Sequence, residues 1–183
     1  YINNDIISTD DPYVKEITFD RIVEISLICN NSIFNGQDDN NIGELDELAF
    51  LKYAARKKIY KSSVDARNTK IIDIPMDSDK SFVTVVTKLK RGCRANSRGN
   101  VDSILDICTH FMVNGIEREL TEEIRSEIKR IDMNLSIEGM ITEGFAYRNF
   151  SYEPSKSENI ESNMVFVGIM GLENPLEDNL ENS

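Results

Sequence analysis

The residues best placed to do chemistry lie between Ser97 and Cys108, in the stretch Ser-Arg-Gly-Asn-Val-Asp-Ser-Ile-Leu-Asp-Ile-Cys. Arg98 puts a cation beside Gly99, a residue that lets backbone come close to a ligand. Asn100 can cap a following helix through its side-chain oxygen. Val101, Ile104, Leu105 and Cys108 recur at helical spacing and give one apolar face. A strand-like run lies upstream at Phe82 to Lys88, so the segment reads as strand, Arg-Gly turn, helix. Such a turn offers an anion a positive side chain and free N–H groups. Read from these residues alone, a solvated surface arginine in a loop is the plainer account.

The remaining reactive residue types exclude more than they suggest. Cys29, Cys93 and Cys108 are an odd set without metal-ligand spacing, which points to a reducing compartment and to buried small side chains. His110 is the single histidine, so zinc sites or triads that need more than one His are excluded; it reads as a helix-end residue. Acidic residues number 32 against 21 basic, a formal net charge of -11, which argues against nucleic acid or anionic lipid as a partner while leaving room for a local basic pocket. The longest apolar run, Met164 to Leu172, falls short of the roughly 20 residues that a membrane helix needs. The 183 residues suffice for one domain with a real core. The chain begins at Tyr1 without an initiator methionine and reads as an excised piece of something longer.

The elements that must position these residues follow from periodicity. Residues 1 to 18 read as an edge strand or ordered arm, with Asp20 as the N-cap of a mostly buried helix running to about Asn31. Asn35 to Asn41 is turn-rich, and a second helix is predicted from Leu45 to Ile59. Lys70–Pro75 and Phe82–Lys88 read as a hairpin-like pair of strands around an Asp77-Ser78-Asp79 turn. Arg91 to Ser97 reads as a second turn. Val101–Met112 is predicted as helix, Asn114-Gly115 as a turn, and Thr121 as the start of a helix whose stripe is Ile124, Ile128, Ile131 and Leu135. Gly139 to Arg148 and Met164 to Met170 read as strands on either side of a polar loop, and the acidic tail from Glu177 as disordered or a remnant of a next domain. Hairpins between amphipathic helices favour an α+β fold with an antiparallel β-sheet flanked by helices.

Five segments, taken in order, resemble one family. Cys29-Asn-Asn-Ser32, Gly43-Glu-Leu-Asp-Glu-Leu-Ala49, Ile74-Pro-Met-Asp-Ser78 and Arg98-Gly-Asn-Val-Asp-Ser-Ile-Leu-Asp-Ile-Cys108 are similar to motifs of the P-type cation pumps, calcium-pump-like ones above all. The fifth segment is Gly144-Phe-Ala-Tyr-Arg148 with Val165-Phe-Val-Gly-Ile-Met-Gly-Leu-Glu-Asn-Pro175. The chain thus resembles the cytoplasmic nucleotide-binding (N) domain of a P-type ATPase, over residues 1–176, with 177–183 as a tail or a remnant of the phosphorylation domain. The resemblance implies a domain that binds ATP, with Mg2+ accompanying it in the full-length pump, and presents it to an aspartate of a phosphorylation domain. That aspartate's motif is absent here, since no Thr-Gly-Thr follows Asp79-Lys80-Ser81. It further implies the phosphorylation and actuator domains of the same parent chain as partners, a cytoplasmic location on an integral membrane protein, and no catalysis by this piece alone. A degenerate N domain serving as a regulatory or interaction module, with weak nucleotide binding, is the alternative.

Carried over residue by residue, the resemblance implies nucleotide-binding roles for Glu47, Met76, Lys80, Arg98 and Gly99. Glu47 matches the family glutamate near the adenine amino group, a donor that a carboxylate can accept from; it equally suits the first turn of a helix. Lys80 matches the lysine after the Phe-Asp-Ser turn with spacing about one residue short, and also reads as an exposed turn lysine. Arg98 replaces the lysine of Lys-Gly-Ala, keeping charge but not shape. Met76 stands where the family has its adenine-stacking phenylalanine, Ile141 where an arginine is expected, and Asn174 where an aspartate precedes Pro175. The Arg98-Gly99 turn is expected at the sheet edge near the phosphates, with all five residues converging on one cleft.

Overall fold

The computed structural model describes residues 1–2, 17–32 and 45–173. Most of the predicted N-terminal arm, the loop Asn35 to Asn41, Gly43, Asn174 and the acidic tail lie outside these residues. Seven strands form one sheet: β1 (Lys70–Ile74), β2 (Phe82–Lys88), β3 (Cys93–Gly99), β4 (Cys108–Val113), β5 (Ile116–Glu119), β6 (Met140–Phe150) and β7 (Met164–Glu173), in the order β1-β2-β3-β6-β7-β4-β5. Of the four strands anticipated from sequence, β1, β2 and β6 pair only antiparallel with their neighbours, and β7 pairs antiparallel with β6. The sheet is nonetheless mixed, because β4 runs parallel to β7. Because β3 and β7 are both antiparallel to β6, β4 runs in the same direction as β3, and a short helix connects the two where a hairpin would have reversed the chain.

Helices cover both faces. On one side α4 (Val101–Asp106) and α5 (Glu122–Ile137) set Ile104, Leu105, Ile128, Ile131 and Leu135 against Phe82, Val86, Ala95, Ala146 and Phe166. On the other, α1 (Ile17–Ile28), α2 (Leu45–Arg56) and α3 (Lys61–Arg67) pack Ile22, Ile25, Phe50, Ala54 and Val64 against Val85, Phe145 and Val167. Strand β2 explains itself: Phe82 and Val86 point to the first layer and Val83 and Val85 to the second, so an apolar β-branched run is buried on both sides. Two of the predicted helix starts carry their caps, with the Asn100 side chain accepting from Ser103 N at 3.1 Å and Thr121 Oγ1 from Ile124 N at 3.3 Å.

Several expectations are corrected. Residues 91–97 are not a turn into a surface loop; Cys93–Gly99 is β3, a central strand between β2 and β6. Its polar side chains misled because Asn96 and Ser97 find partners inside: Asn96 Nδ2 donates to Val85 O at 3.0 Å, and Ser97 Oγ shares a 2.7 Å hydrogen bond with Thr84 Oγ1. The helix expected over Val101–Met112 ends at Asp106, and His110 sits on β4, where alternating Thr109, Phe111 and Val113 suit a strand. Helix α1 starts at Ile17, which makes Asp20 a first-turn residue rather than the N-cap. Helix α2 stops at Arg56, with Lys58 at φ 60 breaking the line before the unpredicted α3. Seven residues holding one buried side chain, Val64, give α3 too little periodicity to be read.

Candidate functional site

The end of α1 and the start of α2 are clasped together by the tetrapeptide Cys29-Asn30-Asn31-Ser32. Asn30 Nδ2 donates to Glu47 O at 2.9 Å, and its Oδ1 accepts from Ser32 N at 2.9 Å. Ser32 Oγ donates to Glu47 Oε1 at 3.0 Å, while Asn31 N donates to Glu47 Oε2 at 3.2 Å. Glu47 is thereby fixed in the first turn of α2 and buried, with an acceptor direction to spare, since a carboxylate offers about four lone pairs.

Arg98 completes the arrangement from β3. It projects from the face shared with Asn96, under Phe50, and is only 4% exposed. Nε and Nη2 donate to Cys29 O at 3.1 and 2.9 Å, Nη2 also to Glu47 Oε2 at 2.8 Å, and Nη1 to both oxygens of Glu143 at 2.8 Å. Asp46 Oδ2 stands 3.4 Å from Nη1. All five guanidinium N–H groups have acceptors. Burial would lower the guanidinium's affinity for its proton, but the Glu143 charge and hydrogen bonds outweigh it and raise the Arg98 pKa. Three carboxyl groups around one cation cannot all ionise freely. Burial, then a hydrogen bond to Asp46, pushes Glu143 up to about 8. For Asp46 burial is outweighed by hydrogen bonds from Glu143 and the Glu47 backbone and by the Arg98 charge, which bring it below its ordinary value. Burial also drives the Cys29 thiol up to about 12, so it is an inert neighbour rather than a nucleophile.

Beside this cluster opens a cleft of about 340 Å3, lined by Cys29, Asp46, Glu47, Met76, Val83 and Arg98 among others. The described cleft thus joins three of the five predicted residues. Glu47 and Arg98 form its floor, and Met76 is half exposed at its wall. The other two are elsewhere. Lys80 Nζ pairs with Glu161 at 3.0 Å and lies 4.8 Å above the Phe82 ring, on the α4/α5 side of the sheet. Gly99 faces that side too, and a Cβ there would meet Ser81 O at 2.4 Å and Phe82 Cα at 2.6 Å. Its glycine serves close strand packing, not a turn. The expectation that Arg98-Gly99 forms a turn at the sheet edge therefore fails: alternation along a central strand sends the two residues to opposite faces. Asn31, Ser32, Asp46 and Glu143 were missed. For Glu143 a signal existed, since Ile141, Glu143 and Phe145 share one face of a predicted strand and only one of them is charged.

Among the described residues no helix is long and apolar enough to cross a membrane. The family described as P-type ATPase, cytoplasmic domain N, matches residues 18–179. Calcium-transporting ATPase 1 of Bacillus cereus is 24% identical over 154 residues, covering 84% of this chain and 17% of that protein. The alpha-4 subunit of a sodium/potassium-transporting ATPase of Rattus norvegicus is 23% identical over 176 residues, 86% of this chain and 17% of the relative. Calcium-transporting ATPase 1 of Yarrowia lipolytica is 23% identical over 166 residues, with 88% and 17% covered. The chain spans about 17% of the length of these curated relatives.

Proposed function

Because the chain belongs to the P-type ATPases as their cytoplasmic domain N, we propose that it is the ATP-binding domain of a cation-transporting pump, calcium-pump-like, on the cytoplasmic side of the membrane. The observation that carries this reading is Glu47, its carboxylate held by three groups yet with an acceptor direction left at a cleft of fitting size. In this account Glu47 accepts from the exocyclic amino group of adenine. Met76, across the cleft, lays its polarizable thioether against the base. Val83 supplies an apolar wall. The phosphates point out of the cleft toward an aspartate of the phosphorylation domain, with Mg2+ arriving on them. The parent pump then hydrolyses ATP, whereas this chain transfers no phosphoryl group, because an in-line nucleophile is required and the Asp-Lys-Thr-Gly-Thr motif does not occur in it.

Titration of the 183-residue chain with ATP, followed by amide shifts, tests the reading. Saturable shifts are expected at Asn31, Glu47, Met76 and Val83. Met76→Phe should tighten binding by roughly 0.5–1.5 kcal/mol, through an aromatic face in offset contact with the base. Shifts confined to residues outside the cleft, or a Phe variant with unchanged affinity, would count against it.

A further inference from the structure

Arg98 is the one basic side chain among the described residues that line the cleft, alongside Asp46, Glu47 and Asp73. It reaches the cleft with no donor to give. Nε is used by Cys29 O, Nη2 by Cys29 O and Glu47, and Nη1 by the two oxygens of Glu143 at 2.8 Å and, more weakly, by Asp46 Oδ2 at 3.4 Å. The Cys29 and Glu47 contacts belong to the clasp that shapes the cleft. Glu143 is different: it comes from β6, is not itself a lining residue, and reaches the cleft through Arg98 and through its hydrogen bond with Asp46.

We propose that Glu143 is a specificity-determining positioning residue: by saturating Arg98 it withdraws the cleft's cation from phosphate recognition, so that affinity is set by base and ribose and does not rise with the number of phosphates. The inference rests on the nucleotide reading above and adds which part of the nucleotide is recognised. Its physics is simple. A phosphate gains a charge-assisted hydrogen bond only from a free N–H. To free one here, a buried carboxyl group must lose its partner. The surrounding carboxylates would meanwhile repel each added phosphate charge. Saturation holds in either protonation state of Glu143, because its oxygens accept from Nη1 whether or not a proton is shared with Asp46.

The test is an affinity ladder on the 183-residue chain with adenosine, AMP, ADP and ATP in Mg2+-free buffer, by calorimetry and amide shifts. In the wild-type protein the four affinities should agree within about threefold, and ATP binding should not weaken as salt is raised. Glu143→Leu removes the two close acceptors of Nη1, leaving it only Asp46 at 3.4 Å, and should tilt the ladder, with ATP about tenfold or more tighter than adenosine. Glu143→Gln keeps an acceptor oxygen and the side-chain shape, and should restore the flat ladder; a merely structural role for Glu143 would not move the slope. A wild-type ladder that climbs steeply with phosphate number overturns the proposal, whether or not the Leu variant folds. A Leu variant that folds and keeps a flat ladder overturns it too. If none of the four ligands binds the wild-type protein, the nucleotide reading itself falls and takes this inference with it; binding with a climbing ladder leaves that reading intact and removes only the role of Glu143.

Discussion

Two cations of this chain carry the same expected role, and the fold treats them in opposite ways. Arg98 sits in the middle of the sheet, 4% exposed, with five donors engaged and two carboxyl groups within 2.8 Å. Lys80 lies two residues before β2 on the other face, in a single ion pair with Glu161 whose side chains are 15% and 18% exposed. Thr84 Oγ1 also donates to Glu161 at 2.7 Å, so that acid has one further partner, whereas the three acids around Arg98 share one guanidinium as their cation. The difference teaches that a cation beside a motif says little about its role; the number of its donors already spent decides what it can still bind.

The largest effect should come from removing the hub. Arg98→Ala leaves Glu143 and Glu47 without their cation in a buried setting and should cost about 3–5 kcal/mol in urea unfolding near neutral pH. A cost like that of a surface pair would erase the contrast. Gly99→Ala tests the neighbouring position on the opposite face. With Ser81 O 2.4 Å from the new Cβ, β2 and β3 must move apart, which should cost about 1–3 kcal/mol.

Next comes a pH effect confined to the Arg98 region. Burial and the hydrogen bond to Asp46 raise Glu143 from 4.5 to about 8 in the folded state. Between these values the native protein binds more protons than the unfolded one, so this contribution to stability is full below about pH 4.5 and lost as pH rises through 8. Urea midpoints from pH 5 to 9 should decline more steeply in the wild-type protein than in Glu143→Gln; parallel curves would show that the cluster keeps no proton. The smallest effect is expected for Lys80→Ala, about 1 kcal/mol or less in the same assay, since the pair is partly solvated and Thr84 still serves Glu161. A loss as large as that of Arg98→Ala would place both cations in one class.

The sequence was informative where one physical rule dominated. Strands β1, β2, β6 and β7 and helix α5 were legible because alternation or a 3.6-residue stripe of large apolar side chains reflects burial directly. Strand β3 was not, since Arg94, Asn96, Ser97 and Arg98 obey the rule only after β2, β6 and the α1–α2 clasp supply their partners. The apolar spacing Val101, Ile104, Leu105, Cys108 was real in its burial but ran across a helix and a strand, which a one-dimensional period cannot separate.

The candidate site divides along the same line. Order and spacing of the five segments, from Cys29 to Pro175, are linear properties, so the family was legible from them, as the α+β class was from strand pairs set between amphipathic helices. Glu47 was also legible, because a first-turn position on a helix is local. The state of each cation came from long-range packing: Arg98 turns inward to Glu143, 45 residues away in the chain, and Lys80 and Gly99 lie across the sheet from it. Charge is carried by residue type, but the availability of a charge depends on which acceptors surround it, and in a sheet whose neighbours are distant in sequence those acceptors come from other strands and helices.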